Sequence, residues 1–190
     1  VSKHGCALGI YLCKVRALNS DIRGFKISSG CVIPWIRLYN DTAVAVDQLG
    51  KRKGDATVTL DIWHKDFYEF VELRTNNGDD RRKAHDIFPA ISVQNIIMER
   101  MLDRENFTLF DPHEILAVKG YSIEDYFDTE DEIEFTKRYI ECEQDPNLHG
   151  IEVPALDMMK KIMRSAVETG TPFIFFRDTV NAANPNKHAG

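Results

Sequence analysis

The chain has 190 residues, 43% of them hydrophobic and 28% charged, which suits one ordinary core in a single segment, residues 1–190. A net charge of −6 and a pI near 5.5 argue against non-specific binding of a nucleic-acid polyanion unless the cations are segregated. No apolar run approaches the ~20 residues of a membrane helix, and no secretory leader is visible. The cysteines at 6, 13, 31 and 142 form no C-x-x-C pair and no zinc spacing, so free thiols in a reducing cytoplasm are expected.

The opening HGCALGIYLCKVRAL reads as a small-residue turn, Gly5 to Ala7, feeding a mostly apolar strand over 8–15. Such a run suits a strand buried on both faces of a parallel sheet. Arg16 follows it, and a polar loop broken by Gly24 and Gly30 carries Arg23. Both cations thus lie in a strand-to-helix connection, where α/β folds place ligand contacts and where ordinary surface salt bridges also occur. Residues 31–55 begin as an amphipathic helix, with Val32, Ile36, Tyr39, Ala43 and Val46 at spacings of three and four. Pro34 fits its first turn, and Gly50 is the expected stop. Lys51, Arg52, Lys53 and Gly54 then form a basic, glycine-bracketed loop, suited to an anion such as a nucleotide phosphate or simply to solvent.

ATVTLDIWH, residues 56–64, is rich in β-branched residues and reads as a strand. Phe67, Phe70, Val71 and Arg74 give KDFYEFVELRT helical spacing, and TNNGDDRRK is a solvated turn-rich loop. His64 and His85 have no partner at ligand spacing and are expected to be satisfied structural histidines. DIFPAISV is a strand, VQNIIMERMLDREN a helix, and FTLFDPHE a short extended segment ended by Asp111-Pro112. Residues 122–144 read as an acidic helix with Phe127, Ile133, Phe135 and Tyr139 as a partial apolar stripe. Its Glu130, Asp131, Glu132 and Glu134 suit a solvated face. VPALDMMKKIMRSAVETG is the clearest helix, with Pro154 at its start, Leu156, Met159, Met163 and Ala166 on one face, and Gly170 as the stop. PFIFFRD reads as a last buried strand and VNAANPNKHAG as a polar exit. The alternation predicts an α/β fold with parallel strands, open or closed into a barrel.

In this order the segments resemble the large catalytic (alpha) subunit of the ribonucleotide reductases, through the whole chain. The resemblance is carried by GCALGIYLCKVRALNSDIRG, VIPWIRLYNDTAVAVDQLGKRKG, VTLDIWHKDFYEF, LRTNNGDDRRKAHDIFPA, TLFDPHEI and ETGTPFIFFRDTVNAANP. It implies part, about the first half, of a ten-stranded α/β barrel carrying both specificity loops. It further implies reduction of ribonucleotides to deoxyribonucleotides for DNA synthesis, by a thiyl radical on a finger-loop cysteine. A separate cysteine pair would take electrons from a thioredoxin- or glutaredoxin-type reductant. A deoxynucleoside triphosphate or ATP effector would bind at the interface of a homodimer. The radical source would be either the metal centre of a small partner subunit or adenosylcobalamin. Neither nucleic acid nor membrane is an expected partner.

By that resemblance Lys3, Arg16, Ile22 and Arg23 match the effector-binding turn and first specificity loop. Residues 48–54 match the second loop, with Gln48 and Arg52 as the side chains that reach the substrate base, beside Lys51, Lys53 and Gly54. Gly5, Cys6 and Ala7 match a turn that approaches substrate. The chemistry suits the roles, since arginine offers a planar fork and glutamine both a donor and an acceptor. Both loops flank one helix, which could pass a shift from one to the other. Cys6, Ala7, Cys13 and Cys31 stand where the family keeps glycines, at a cost of roughly 1 kcal/mol or more wherever the backbone needs positive φ. Leu49 and Asp55 stand where small residues close the second loop, and Asp55 adds a negative charge there. Cys6, Cys13 and Cys31 do not match the redox pair or the radical cysteine. The radical-bearing Asn-x-Cys-x-Glu loop is expected just beyond Gly190 and the first redox cysteine before Val1, so the segment alone is expected to be inactive and to hold no metal. The alternative is a truncated or degenerate relative that serves only as a nucleotide-binding or subunit-interaction module.

Overall fold

Four β-branched or aromatic runs meet edge to edge in one parallel sheet. A computed structural model describes residues 6–25, 29–46, 54–129 and 131–186. In it β2 (Ala56–Asp61) and β3 (Phe88–Val93) are central, with β1 (Leu8–Tyr11) and β6 (Phe173–Phe176) at the edges, in the order β1-β2-β3-β6. Leu8 is in register with Ala56, Thr57 with Phe88, and Ala90 with Phe173. All four strands therefore finish on one side, at Tyr11, Asp61, Val93 and Phe176. In parallel α/β sheets that side is where ligands bind.

The helices α1 (Ile33–Ala45), α2 (Phe67–Val71), α3 (Asn95–Asp103), α6 (Ala155–Thr169) and α7 (Arg177–Ala183) alternate with these strands. One continuous core joins Val58, Leu60 and Ile62 to Ile33, Ile36, Phe67, Phe70, Ile91 and Ile162. A second, antiparallel pair, β4 (Asn106–Leu109) and β5 (Ile151–Pro154), frames α4 (Pro112–Lys119) and α5 (Glu134–Glu143). There Tyr139 is wholly buried, and its hydroxyl donates to Thr108 O at 2.8 Å while accepting from Thr108 N at 2.7 Å. Phe110 N donates to Trp63 O at 2.7 Å, and Lys65 N to Phe110 O at 3.0 Å. These bonds tie the small sheet to the end of β2. No helix among the described residues is long and apolar enough to cross a membrane.

Several sequence expectations are corrected here. β1 and β6 are not buried on both faces: Leu8, Tyr11, Phe173, Phe175 and Phe176 are each 41–50% exposed, because these strands form the two edges of the described sheet. The core face of α6 is Ala155, Met158, Ile162 and Ser165, one residue back from the expected set, a rotation of about 100° on a 3.6-residue helix. α1 ends at Ala45, before Gly50, with Val46 N closing on Thr42 O at 3.0 Å. The acidic helix is shorter than expected, beginning only at Glu134, after a single 3-10 turn at Ile123–Asp125. The extended segment does end at Asp111-Pro112, with β4 stopping at Leu109 and Phe110 in an isolated bridge, and the same pair also starts α4. The Asp111 side chain accepts from His113 N at 3.2 Å as the N-cap of α4, with proline in the first turn where its missing N–H is harmless. The last strand gives way at Arg177 to α7, which takes the first four residues of the polar exit, and β5 is a strand that the sequence reading missed.

Candidate functional site

Past the end of β1 the chain runs as a loop whose amides are taken by buried polar side chains. His64 is fully buried, its Nε2 bonded to Val15 O at 2.9 Å and its Nδ1 accepting from Asp66 N at 3.1 Å. Those partners fix a neutral tautomer with the proton on Nε2, so His64 is the satisfied structural histidine its spacing suggested. Ala17 N donates to Asp111 Oδ1 at 3.1 Å, and Leu18 N to Asp66 Oδ1 at 2.9 Å. The other oxygen of Asp66 accepts from Val32 N at 3.0 Å, at the head of α1.

Farther along, Ile22 and Phe25 exchange backbone hydrogen bonds of 3.1 and 3.0 Å across Arg23 (φ 52°) and Gly24 (φ 83°). Two successive left-handed residues between paired ends make a primed two-residue hairpin turn. Glycine adopts that conformation freely. Arginine does not, and non-glycine residues held there concentrate at functional sites. Asp21 Oδ1 accepts from Gly24 N at 2.9 Å and sets the turn, which leaves Arg23 exposed at its tip.

Two cavities adjoin this loop, and Arg16 lines both. The larger, about 850 Å3, is bounded by Arg16, Arg23, Lys65, His113, His149 and Glu114 among others. Glu114 is already engaged there, by Lys65 at 3.3 Å and by His149 Nδ1 at 2.6 Å. The second, about 550 Å3, is lined by the apolar and aromatic Ile22, Trp35, Tyr39 and Leu116 and by the charged Arg16, Lys14 and Glu124 among others, with Lys14 paired to Asp125 at 2.7 Å. Tyr39 also faces a small cavity of about 90 Å3 that holds Cys6 and Gly54. A Cβ on Gly54 would stand 2.5 Å from Ala43 O and 3.1 Å from Val46 O, so only glycine lets the chain return this close to the end of α1. Of the expected residues, then, Arg16 lines a cavity with Ile22 and another with Arg23, the former toward the start of α1, and Cys6 and Gly54 line one toward the end of that helix. Ala7 is exposed and lines none of these cavities. Lys3, Gly5, Gln48, Lys51, Arg52 and Lys53 lie outside the described residues.

At the shared end of the strands sits a separate charged group. Tyr11 donates its hydroxyl to Asp61 Oδ2 at 2.5 Å, and Arg177 Nη1 reaches the same oxygen at 3.1 Å. Arg177 also bonds Glu124 O. Asp61 is fully buried, and burial, then Cys13 and Asp61, hold the Tyr11 phenol far above its ordinary value. Burial and then Asp61 likewise push the Cys13 thiol up, and burial pushes Cys31 and Cys142 to about 11. These three sulfurs are thiols at neutral pH, unsuited to nucleophilic or redox work as thiolates. Cys31 takes φ 67°, the left-handed backbone anticipated where the family keeps glycine, whereas Ala7 and Cys13 are not in that region.

The sequence profile described as "Ribonucleotide reductase, barrel domain" matches residues 1–190. The chain belongs to the ribonucleotide reductase barrel-domain family. It is 50% identical over 192 residues to the ribonucleoside-diphosphate reductase subunit alpha of Treponema pallidum (strain Nichols), covering all of this chain and 22% of that protein. Against the subunit alpha of Synechocystis sp. (strain ATCC 27184 / PCC 6803 / Kazusa) identity is 42% over 191 residues, with 25% of that protein covered. The large subunit of Dictyostelium discoideum is 38% identical over 191 residues, 21% of its length. The chain thus spans a quarter or less of these relatives. Its parallel sheet is a partial segment of the ribonucleotide reductase barrel, in keeping with the expected fold. Missing from the sequence reading were Lys65, Asp66, Asp111 and His113. The only local signal was at Asp111, where Asp-Pro ahead of an apolar run marks a helix start.

Proposed function

We propose that this chain is the part of a ribonucleoside-diphosphate reductase large subunit that senses the nucleotide effector. In the complete subunit, reduction of ribonucleotides to deoxyribonucleotides would proceed by a thiyl radical and a redox cysteine pair outside this segment. The radical source and the electron-donating protein would come from partners. The remaining strands of the barrel would cover Leu8, Phe173, Phe175 and Phe176 at the open sheet edges. The cytoplasm, a homodimer and a small radical-generating subunit complete this reading.

The carrying observation is that Arg16 lines both cavities flanking a loop whose Ala17 and Leu18 amides are held by Asp111 and Asp66, with Arg23 at a strained tip. A cationic fork beside an aromatic wall, Trp35 and Tyr39, has the chemistry of a triphosphate and base. Gly54 and Cys6 sit across Tyr39, so a ligand beside Arg16 has a packed route through α1 toward the second loop. The test is thermal unfolding of the chain with millimolar deoxynucleoside triphosphates. A ligand that binds only the folded state raises the midpoint, and Arg16→Ala should abolish the rise. No rise with any of the four in the parent chain refutes the reading.

A further inference from the structure

We infer that His64, Asp66 and Asp111 are positioning residues that aim Arg16 and thereby set the sensitivity of the effector loop. The inference rests on the effector-loop reading above, and goes beyond it by assigning a role to three residues that line up behind the loop.

Three buried side chains take three backbone groups that bracket a single residue. His64 holds Val15 O, Asp111 holds Ala17 N, and Asp66 holds Leu18 N. Position 16 is thus gripped on both sides, with the Arg16 side chain projecting to the two cavities. The grips are themselves braced. Asp66 N donates to His64 Nδ1, and Asp111 caps α4 through His113 N. The Trp63–Phe110 and Lys65–Phe110 backbone bonds lock the two supporting segments together. Asp66 and Asp111 are 4% and 6% exposed and His64 is fully buried, so solvent cannot replace these bonds. Asp66 does more, because its second oxygen holds Val32 N. One carboxylate therefore fixes both the start of the loop, at Leu18, and its return into α1. Asparagine is nearly isosteric but has only one acceptor oxygen, so it must give up one of the two ends.

The experiment uses the full-length alpha subunit carrying this segment, with Asp66→Asn, Asp111→Ala, Arg16→Ala and the parent compared. Reductase activity is titrated with a deoxynucleoside triphosphate effector, and the half-saturating concentration is separated from the plateau rate. Asp66→Asn should raise the half-saturating concentration about tenfold, the size of losing one buried charge-assisted hydrogen bond, with the plateau within about twofold of the parent. Hydrogen exchange should show lost protection at the Leu18 or Val32 amide. If Asp66→Asn does not fold, Asp111→Ala, which removes the single oxygen that accepts from both Ala17 N and His113 N, provides the same comparison. An unchanged half-saturating concentration in folded variants overturns the inference, as does a plateau that falls in parallel with it. If Arg16→Ala also leaves the effector response intact, the effector-loop reading fails instead; if Arg16→Ala abolishes the response while Asp66→Asn and Asp111→Ala do not alter it, only the positioning role fails.

Discussion

Replacing Arg177 by Met probes the charged group at the ends of β1, β2 and β6. The methionine keeps much of the stem volume but removes the guanidinium 3.1 Å from Asp61 Oδ2 and bonded to Glu124 O. Asp61 is 0% exposed at its side chain and Arg177 only 13%, so water cannot solvate the orphaned carboxylate in place. The Tyr11 hydroxyl, at 2.5 Å, would still face that oxygen, and the neutral Cys13 thiol would still face the carboxylate. Breaking a buried pair by deleting one partner costs about 3–5 kcal/mol, against near neutrality when both are replaced by packed apolar groups. For a domain of this size each kcal/mol lowers Tm by about 2–4 °C. Arg177→Met should therefore lower the midpoint by roughly 6–20 °C in calorimetry or urea unfolding, and adding Asp61→Leu should recover most of that loss. A drop under about 1 kcal/mol for the single variant, or a double variant no better than it, would refute the view that this pair pins β6 and α7 to β2.

Other consequences follow from the packing. Tyr139→Phe removes both the donor to Thr108 O and the acceptor of Thr108 N, so denaturant unfolding should show a loss of about 1–3 kcal/mol; less than about 0.5 kcal/mol would mean those groups find other partners. Gly54→Ala places a methyl against the Ala43 and Val46 carbonyls, which are backbone and cannot swing aside, and overpacking of that kind costs about 1–3 kcal/mol in the same assay. The Lys119 ammonium, 2.6 Å away, and then the Asn147 amide hold Asp145 down at about 2. A carboxyl depressed in the folded state adds stability above its unfolded value near 3.9, and that stability is lost as pH falls toward about 2. Asp145→Asn should accordingly flatten the stability–pH curve between about pH 4 and 2 while leaving its shape above pH 5 unchanged.

The strands of the parallel sheet and their succession along the chain were legible, β2 and β3 most clearly because they are runs of β-branched and apolar residues with clear breaks, whereas β5 was not. Their surroundings were not. An apolar run such as FIFF looks alike in a sheet centre and at an edge, so the exposure of β6 had no sequence signal. On α6 two apolar sets lie one residue apart, Ala155/Met158/Ile162 and Leu156/Met159/Met163, and only the presence of α2 and α3 alongside decides between them. The charged residues of the loop were legible as a ligand candidate through Arg16 and Arg23. The groups that hold it were not, because Asp66 and Asp111 act on backbone amides 48 and 94 residues away, a relation that leaves no periodicity or motif in one sequence. The strained turn at Arg23 was hidden for a similar reason, since only Gly24 of the pair carries the usual signature of positive φ.

The most direct measurement is the equilibrium affinity of the full-length alpha subunit for a deoxynucleoside triphosphate effector, with and without Arg16→Ala. Loss of a charge-assisted contact to phosphate should weaken binding by about tenfold or more, with substrate affinity in the absence of effector unchanged. Equal effector affinity in the two proteins would contradict the assignment of this loop to nucleotide sensing.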